Sequence, residues 1–191
     1  MSEARFFVII IARYLLKSPG VWVTIITVIF MKKKSEKAEK TNVMRIIEQL
    51  RLPYESHDYS GSGAVSGMEV VEALGQQPER MFKTLVTHGT GKEYYVFMVP
   101  VNGELDLKKA AKAVGEKSIA MIKAKELLPL TGYVHGGCSP IGMKKLFRTT
   151  IHKTALDFDT IMFSGGKIGC QIEMSLSDLR RLIPIETADI I

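Results

Sequence analysis

The chain has 191 residues, 26 lysines and arginines against 20 aspartates and glutamates, a net charge of +6, and two cysteines. That length suits one domain with a sizeable core and room for an appendage. Two cysteines are too few for a disulfide framework and no His/Cys cluster has zinc-ligand spacing, so a reducing compartment and no structural metal are expected.

Residues 1–30 differ from the rest. Two largely apolar runs, Phe6 to Leu16 and Val21 to Phe30, flank Lys17-Ser18-Pro19-Gly20. Each is shorter than the roughly 20 residues that cross a bilayer as a helix. Read as one span, the segment carries Arg13, Lys17 and a Pro-Gly break, all costly in lipid. No small-residue cleavage site follows, and Met31-Lys32-Lys33-Lys34 stands there instead. Three readings stay open: a weak membrane anchor, a hydrophobic flap on the domain, or translation starting at Met31. We take the third as the expectation, with 31–40 a charged leader and 41–191 the folded domain. Beyond residue 30 the balance is 23 basic against 19 acidic. That mild excess suits an RNA partner and is also common in ordinary proteins.

From residue 41 the elements are short. Thr41 or Asn42 caps a helix whose Val43, Ile46, Ile47 and Leu50 share one face, and Pro53 ends it. Tyr54 to Tyr59 alternates as a strand. Ser60-Gly61-Ser62-Gly63 is a loop, and Ser66-x-x-Glu69 is a capping box opening a helix that stops at Gly75. Met81 to Thr87 and Tyr94 to Val101 are strands joined through Gly89-Thr90-Gly91. In the first, Lys83 shares a face with Met81 and Leu85, so it either snorkels to solvent or is held for a purpose. Asp106 to Val114 is a helix ended by Gly115, Ser118 to Ile122 a strand, and Lys123 to Leu128 a brief helix stopped by Pro129.

Thr131 to Lys145 (TGYVHGGCSPIGMKK) concentrates glycine and proline. Glycine allows close approach to the main chain and proline stiffens its neighbour, so Gly136 to Pro140 should be a shaped loop with accessible N–H groups. A simple glycine-rich turn between strands is the plainer alternative. Thr160 to Ser164 and Ile168 to Met174 form a hairpin across Gly165-Gly166, and Ser177 can cap a last helix, Asp178 to Leu182. Short strands and helices without a βαβ period indicate an α+β fold, a mixed and partly closed sheet or barrel surrounded by short helices.

No dinucleotide, P-loop, nucleophile-elbow or zinc-protease motif is present. His57, His88, His135 and His152 are scattered, and only His135 abuts the glycine loop. Cys138 has no visible base or helix terminus to stabilise a thiolate, so it reads as a structural loop residue; Cys170 reads as strand packing. The residues alone name no reaction.

Four segments nevertheless occur together and in order: PERMFKTLVT (78–87), PVNGELDLKKAAKAVG (100–115), LTGYVHGGCSPIGMKK (130–145) and FSGGKIGCQIEM (163–174). In these the chain resembles the YbaK/EbsC family of Cys-tRNA(Pro) deacylases, relatives of the editing domain inserted in bacterial prolyl-tRNA synthetases. The resemblance runs from about Thr41 to the last helix. It implies a cytoplasmic trans-editing enzyme that hydrolyses cysteine mischarged onto tRNA(Pro), with Cys-tRNA(Cys) a further candidate substrate. The substrate would be the aminoacyl 3′ end of tRNA, prolyl-tRNA synthetase a candidate partner, and neither DNA, a cofactor nor a metal would be involved. Membrane contact would depend on residues 6–30. An apolar pocket separates near-isosteres by only about 1–3 kcal/mol, so a second hydrolytic site is needed.

In the mechanism the resemblance implies, the substrate's own thiol attacks its ester carbonyl, and the protein positions the ester and stabilises charge. Lys83 would hold the terminal adenosine's phosphate or hydroxyls, with Thr84 beside it. Gly136 would present a backbone group to the aminoacyl moiety, within a loop continuing through Gly137, Ser139 and Pro140. Ser164, Gly165 and Gly166 would line the pocket, and Tyr59 would stand in it. Gln171 occupies a position where some members carry an aspartate, and Ser66 one where an aromatic is found. Two alternatives remain: a non-catalytic tRNA-binding module on the same fold, or a deacylase for another small residue such as alanine.

Overall fold

The computed structural model describes residues 40–91 and 93–191; the expectations for residues 1–39 lie outside them. Helix α1 (Asn42–Gln49) starts where Thr41 Oγ1 accepts the N–H of Met44 at 3.2 Å, and it buries Val43, Met44 and Ile47. Arg51, at φ 53, turns the chain into β1 (Glu55–Asp58). Helix α2 (Gly67–Leu74) has the expected capping box, with Ser66 and Glu69 exchanging bonds, and ends at left-handed Gly75. Strands β2 (Met81–Gly89) and β3 (Tyr94–Pro100) form the central antiparallel pair. Helix α3 (Leu107–Val114) is capped by the Asp106 carboxylate, which accepts from the N–H groups of Lys108 and Lys109.

Next come β4 (Ile119–Met121) and α4 (Ala124–Thr131). Pro129 does not stop α4, contrary to the sequence expectation; the helix runs through it to left-handed Gly132. A proline near the end of a helix forfeits one bond only. Carbonyls of the last turn gain other donors: Thr131 Oγ1 bonds Leu127 O at 2.7 Å and Lys144 Nζ bonds Pro129 O at 3.2 Å. Strands β5 (Arg148–His152), β6 (Ile161–Ser164) and β7 (Cys170–Met174), helix α5 (Leu176–Leu182) and β8 (Ile185–Ala188) complete the domain.

All eight strands join one mixed sheet in the order β1-β7-β6-β2-β3-β5-β8, with β4 paired to β2. The pairs β2/β6, β3/β5 and β5/β8 are parallel. The α+β class and the mixed sheet agree with the sequence reading. One face, carrying Phe82, Val86, Val96 and Met98, packs against α1 and α5 in the main core. The other packs Phe97 and Val99 under α3, and Met81 and Met162 under α2. No helix among the described residues is long and apolar enough to cross a membrane.

Candidate active site

The site is organised by a split along one edge of β2. That edge pairs with β6 at Met81 and Phe82 and with β4 from Thr87 to Gly89, which leaves the stretch between without a neighbouring strand. A cavity of about 550 Å³ occupies the opening. Consecutive residues of β2, from Met81 to Val86, line it.

Six of the residues singled out in the sequence meet here: Tyr59, Lys83, Thr84, Gly136, Ser164 and Gln171. Lys83 is held partly exposed, and its ammonium donates to Glu104 Oε1 at 3.0 Å. Tyr59 and Gln171 are both buried. The side-chain oxygens Thr84 Oγ1 and Gln171 Oε1 are buried without a hydrogen-bond partner among the described residues. A buried oxygen without a partner costs about 1–3 kcal/mol, so these atoms mark where a ligand's donors can be received.

Gly136 has φ 79, a conformation that a side chain disfavours, and its turn is closed by Gly137 N–H donating to Val134 O at 3.1 Å. The turn brings His135 and Cys138 to the cavity wall as well. Burial pushes the Cys138 thiol up to about 12. It is a neutral wall group and not a ready nucleophile, in line with its structural reading.

The other five expected residues do not line the cavity. Gly137 is buried against the main chain of Lys167 and Ile168, where a Cβ would come within 3.2 Å. Ser139 is fully buried, and its Oγ accepts from Ile141 N–H. Pro140 lines a separate cavity of about 240 Å³ with Ile46 and Phe147. Gly165 and Gly166 turn into the core, where a Cβ would meet Cys170 Sγ at 2.6 Å and Val43 Cγ2 at 2.8 Å. These residues shape the two turns that deliver Gly136 and Ser164; they pack inward because the turns must fold back onto the sheet.

Sequence reasoning missed the apolar rim. Val65 and Met68, on either side of the α2 cap, and Met121 at the end of β4 line the cavity while remaining exposed. Ser66, flagged as a departure, is there too. Exposed apolar groups beside a capping box were the available signal. Glu104 had no signal at all.

Strands β1 and β7 share an ionic cluster outside the cavity lining. Glu173 accepts from Thr160 Oγ1 at 2.6 Å, from His57 Nε2 at 2.8 Å and from the Arg80 guanidinium. Burial opposes its charge, yet Thr160, Arg80 and His57 together hold the carboxyl below its ordinary range. Glu55, His57 and Glu173 bring ligand-type atoms within 4.8 Å of one another. With the Arg80 cation on Glu173, the group reads as a clamp between strands and not as a metal site.

The family model of the aminoacyl-tRNA editing domain matches residues 63–182, well over half the chain. The chain belongs to that family. An Enterococcus faecalis protein provisionally named Cys-tRNA(Pro)/Cys-tRNA(Cys) deacylase EbsC is 46% identical over 145 residues, covering 75% of this chain and 87% of the relative. Two crystal structures share the fold. One, described provisionally as a trans-editing enzyme for prolyl-tRNA synthetase, is 23% identical with a TM-score of 0.66 and covers 78% of this chain and 97% of its own. The other, a hypothetical protein, is 20% identical with a TM-score of 0.72 and covers 78% and 99%.

Proposed function

We propose that the chain deacylates cysteinyl-tRNA(Pro), and cysteinyl-tRNA(Cys) with it, as a free-standing editing enzyme of cytoplasmic translation. The observation that carries this reading is a cavity with a cation at its mouth and no activated nucleophile in its wall. Among the described lining residues, Ser66 Oγ caps a helix, Ser164 Oγ receives Gly166 N–H, and Cys138 is a buried neutral thiol. None of the three is hydrogen-bonded to a base. A substrate that brings its own thiol removes the need for one.

In the proposed reaction the substrate thiolate attacks the ester carbonyl carbon. A C–S bond forms, the C–O bond to the ribose 3′ oxygen breaks, and that oxygen leaves as a hydroxyl with a proton. Water then opens the strained thioester and releases cysteine. Lys83, turning from Glu104 to the phosphate or hydroxyls of the terminal adenosine, fixes the ester over the split in β2, and Gly136 closes on the acyl group. Prolyl-tRNA synthetase is the proposed source of specificity for the tRNA body. The likeness to the E. faecalis relative supports the substrate class.

Single-turnover deacylation of Cys-, Ala- and Ser-tRNA(Pro) tests the reading. Hydrolysis of the cysteinyl ester alone, lost in Lys83→Ala, is the expected result. Equal rates on the alanyl or seryl esters rule out an obligatory substrate thiol. Binding of tRNA without hydrolysis turns the chain into a non-catalytic module.

A further inference from the structure

Antiparallel strands alternate between residues that bond to the partner strand and residues whose N–H and C=O point the other way. On β2 the alternation is fixed at both ends. Val101 N–H donates to Met81 O at 2.8 Å, and Gly89 N–H donates to Glu93 O at 2.9 Å. With the register Lys83↔Val99 and Leu85↔Phe97, the odd-numbered residues of β2 bond to β3. The even-numbered ones face the other edge, as Val86 shows by accepting from Ile122 N–H at 3.2 Å. Two residues back, Thr84 must point the same way. There β6 has already ended its pairing at Phe82↔Phe163 and β4 has not begun.

The main-chain N–H and C=O of Thr84 therefore face the cavity with no strand opposite among the described residues, and no described side chain bonds to either. In the middle of a nine-residue strand this is one open rung of the sheet.

We infer that Thr84 binds the aminoacyl group through its main chain, as though that group were one residue of an added strand. This rests on the deacylase reading above and deepens it. An aminoacyl ester carries the two groups that a strand residue offers, a carbonyl acceptor and an amino donor on adjacent atoms. Set opposite Thr84, its carbonyl oxygen takes the Thr84 N–H and its α-ammonium gives a proton to the Thr84 carbonyl in a hydrogen bond. Peptides extend open sheet edges by the same exchange. As the thiol adds, the carbonyl oxygen gains negative charge and the N–H bond strengthens, which makes Thr84 an oxyanion donor in a fixed strand. The unpartnered Gln171 Oε1 lines the same cavity and is available to the ammonium.

The test is backbone amide exchange by NMR on the full chain, without and with the cysteinyl amide of 3′-amino-3′-deoxyadenosine. This probe keeps the carbonyl and amine and resists hydrolysis. In the free protein Thr84 should exchange about ten-fold or more faster than Lys83 and Leu85, and saturating probe should slow it about ten-fold. A second probe with methylene in place of the carbonyl should bind and leave Thr84 fast. Slow exchange in the free protein, equal slowing by both probes, or binding of the first without slowing overturns the open rung as the acyl site. So does failure of the first probe to bind a chain that deacylates Cys-tRNA(Pro), and in each of these cases the deacylase reading stands. No binding and no deacylation overturn both.

Discussion

Lys83 Nζ and Glu104 Oε1 lie 3.0 Å apart, and the glutamate side chain is 92% exposed. An exposed pair contributes about 0–1 kcal/mol, so it holds the lysine in place without holding the fold together. A substrate phosphate can displace such a partner at small cost.

Glu104→Gln should therefore leave thermal stability within about 0.5 kcal/mol of the parent. Its KM for Cys-tRNA(Pro) should fall a few-fold at low salt, with kcat little changed. Lys83→Ala should lose about 100-fold in kcat/KM. Parallel kinetics at two ionic strengths check both, and a Glu104→Gln enzyme with raised KM would show that the carboxylate helps to seat the substrate.

Gly136 in the cavity wall and Gly165 in the turn behind Ser164 should respond differently. Gly136→Ala would set its Cβ at an ordinary contact distance of 3.6 Å from Ile168 Cγ1 but must hold φ 79, a cost of about 1–2 kcal/mol. Gly165→Ala drives a Cβ to 2.6 Å from buried Cys170 Sγ, an overpacking of about 1–3 kcal/mol. Urea melts should rank Gly165→Ala as the less stable. The double variant Gly165→Ala/Cys170→Ala should recover part of the loss, because it removes the sulfur that the new methyl meets.

Cys138 should be silent in catalysis. With its thiol near 12, iodoacetamide at pH 8 should label it slowly in the folded chain and rapidly in urea. Cys138→Ala should deacylate Cys-tRNA(Pro) within a few-fold of the parent rate. A loss of two orders of magnitude would instead make the protein thiol a participant.

Acid should destabilise the domain in two stages. Burial holds the His152 imidazole below its ordinary 6.5 against the pull of Asp189, 3.5 Å away. A folded value below the unfolded one means that the unfolded chain takes up the proton first. Stability from this group is complete above 6.5 and drains away as pH falls below it. Glu173 is also depressed, from 4.5, so its contribution is present above that value and is lost at lower pH. Melting temperature followed from pH 7.5 to 3.5 should drop in both ranges. His152→Gln should abolish the upper drop alone, and an unchanged profile would show that His152 does not titrate on unfolding.

Much of this arrangement could be read from residues. Thr41 and Ser66 announced their helices because side-chain caps are local chemistry, whereas Asp106, read as the first residue of its helix, caps it instead. The lysine of β2 stood out because period-two alternation placed it among apolar neighbours. Strands β5 and β8 were not anticipated. Thr149 and Thr150 read as polar, yet they are buried in a parallel ladder whose partners are distant in sequence. The inward packing of Gly165 and Gly166 depends on Cys170 and Val43, which no local pattern connects to them. The open rung at Thr84 is less legible still, since it exists only where two other strands end.

Because β2 is bonded to β3, β6 and β4 at once, the cavity's back wall is also the keel of the domain. Few substitutions there could alter what is bound without weakening the whole. The rim is different: the side chains of Val65, Met68 and Met121 are exposed. If the open rung of β2 receives the ester as proposed, rim substitutions are the route by which the choice of amino acid could change while that strand stays the same.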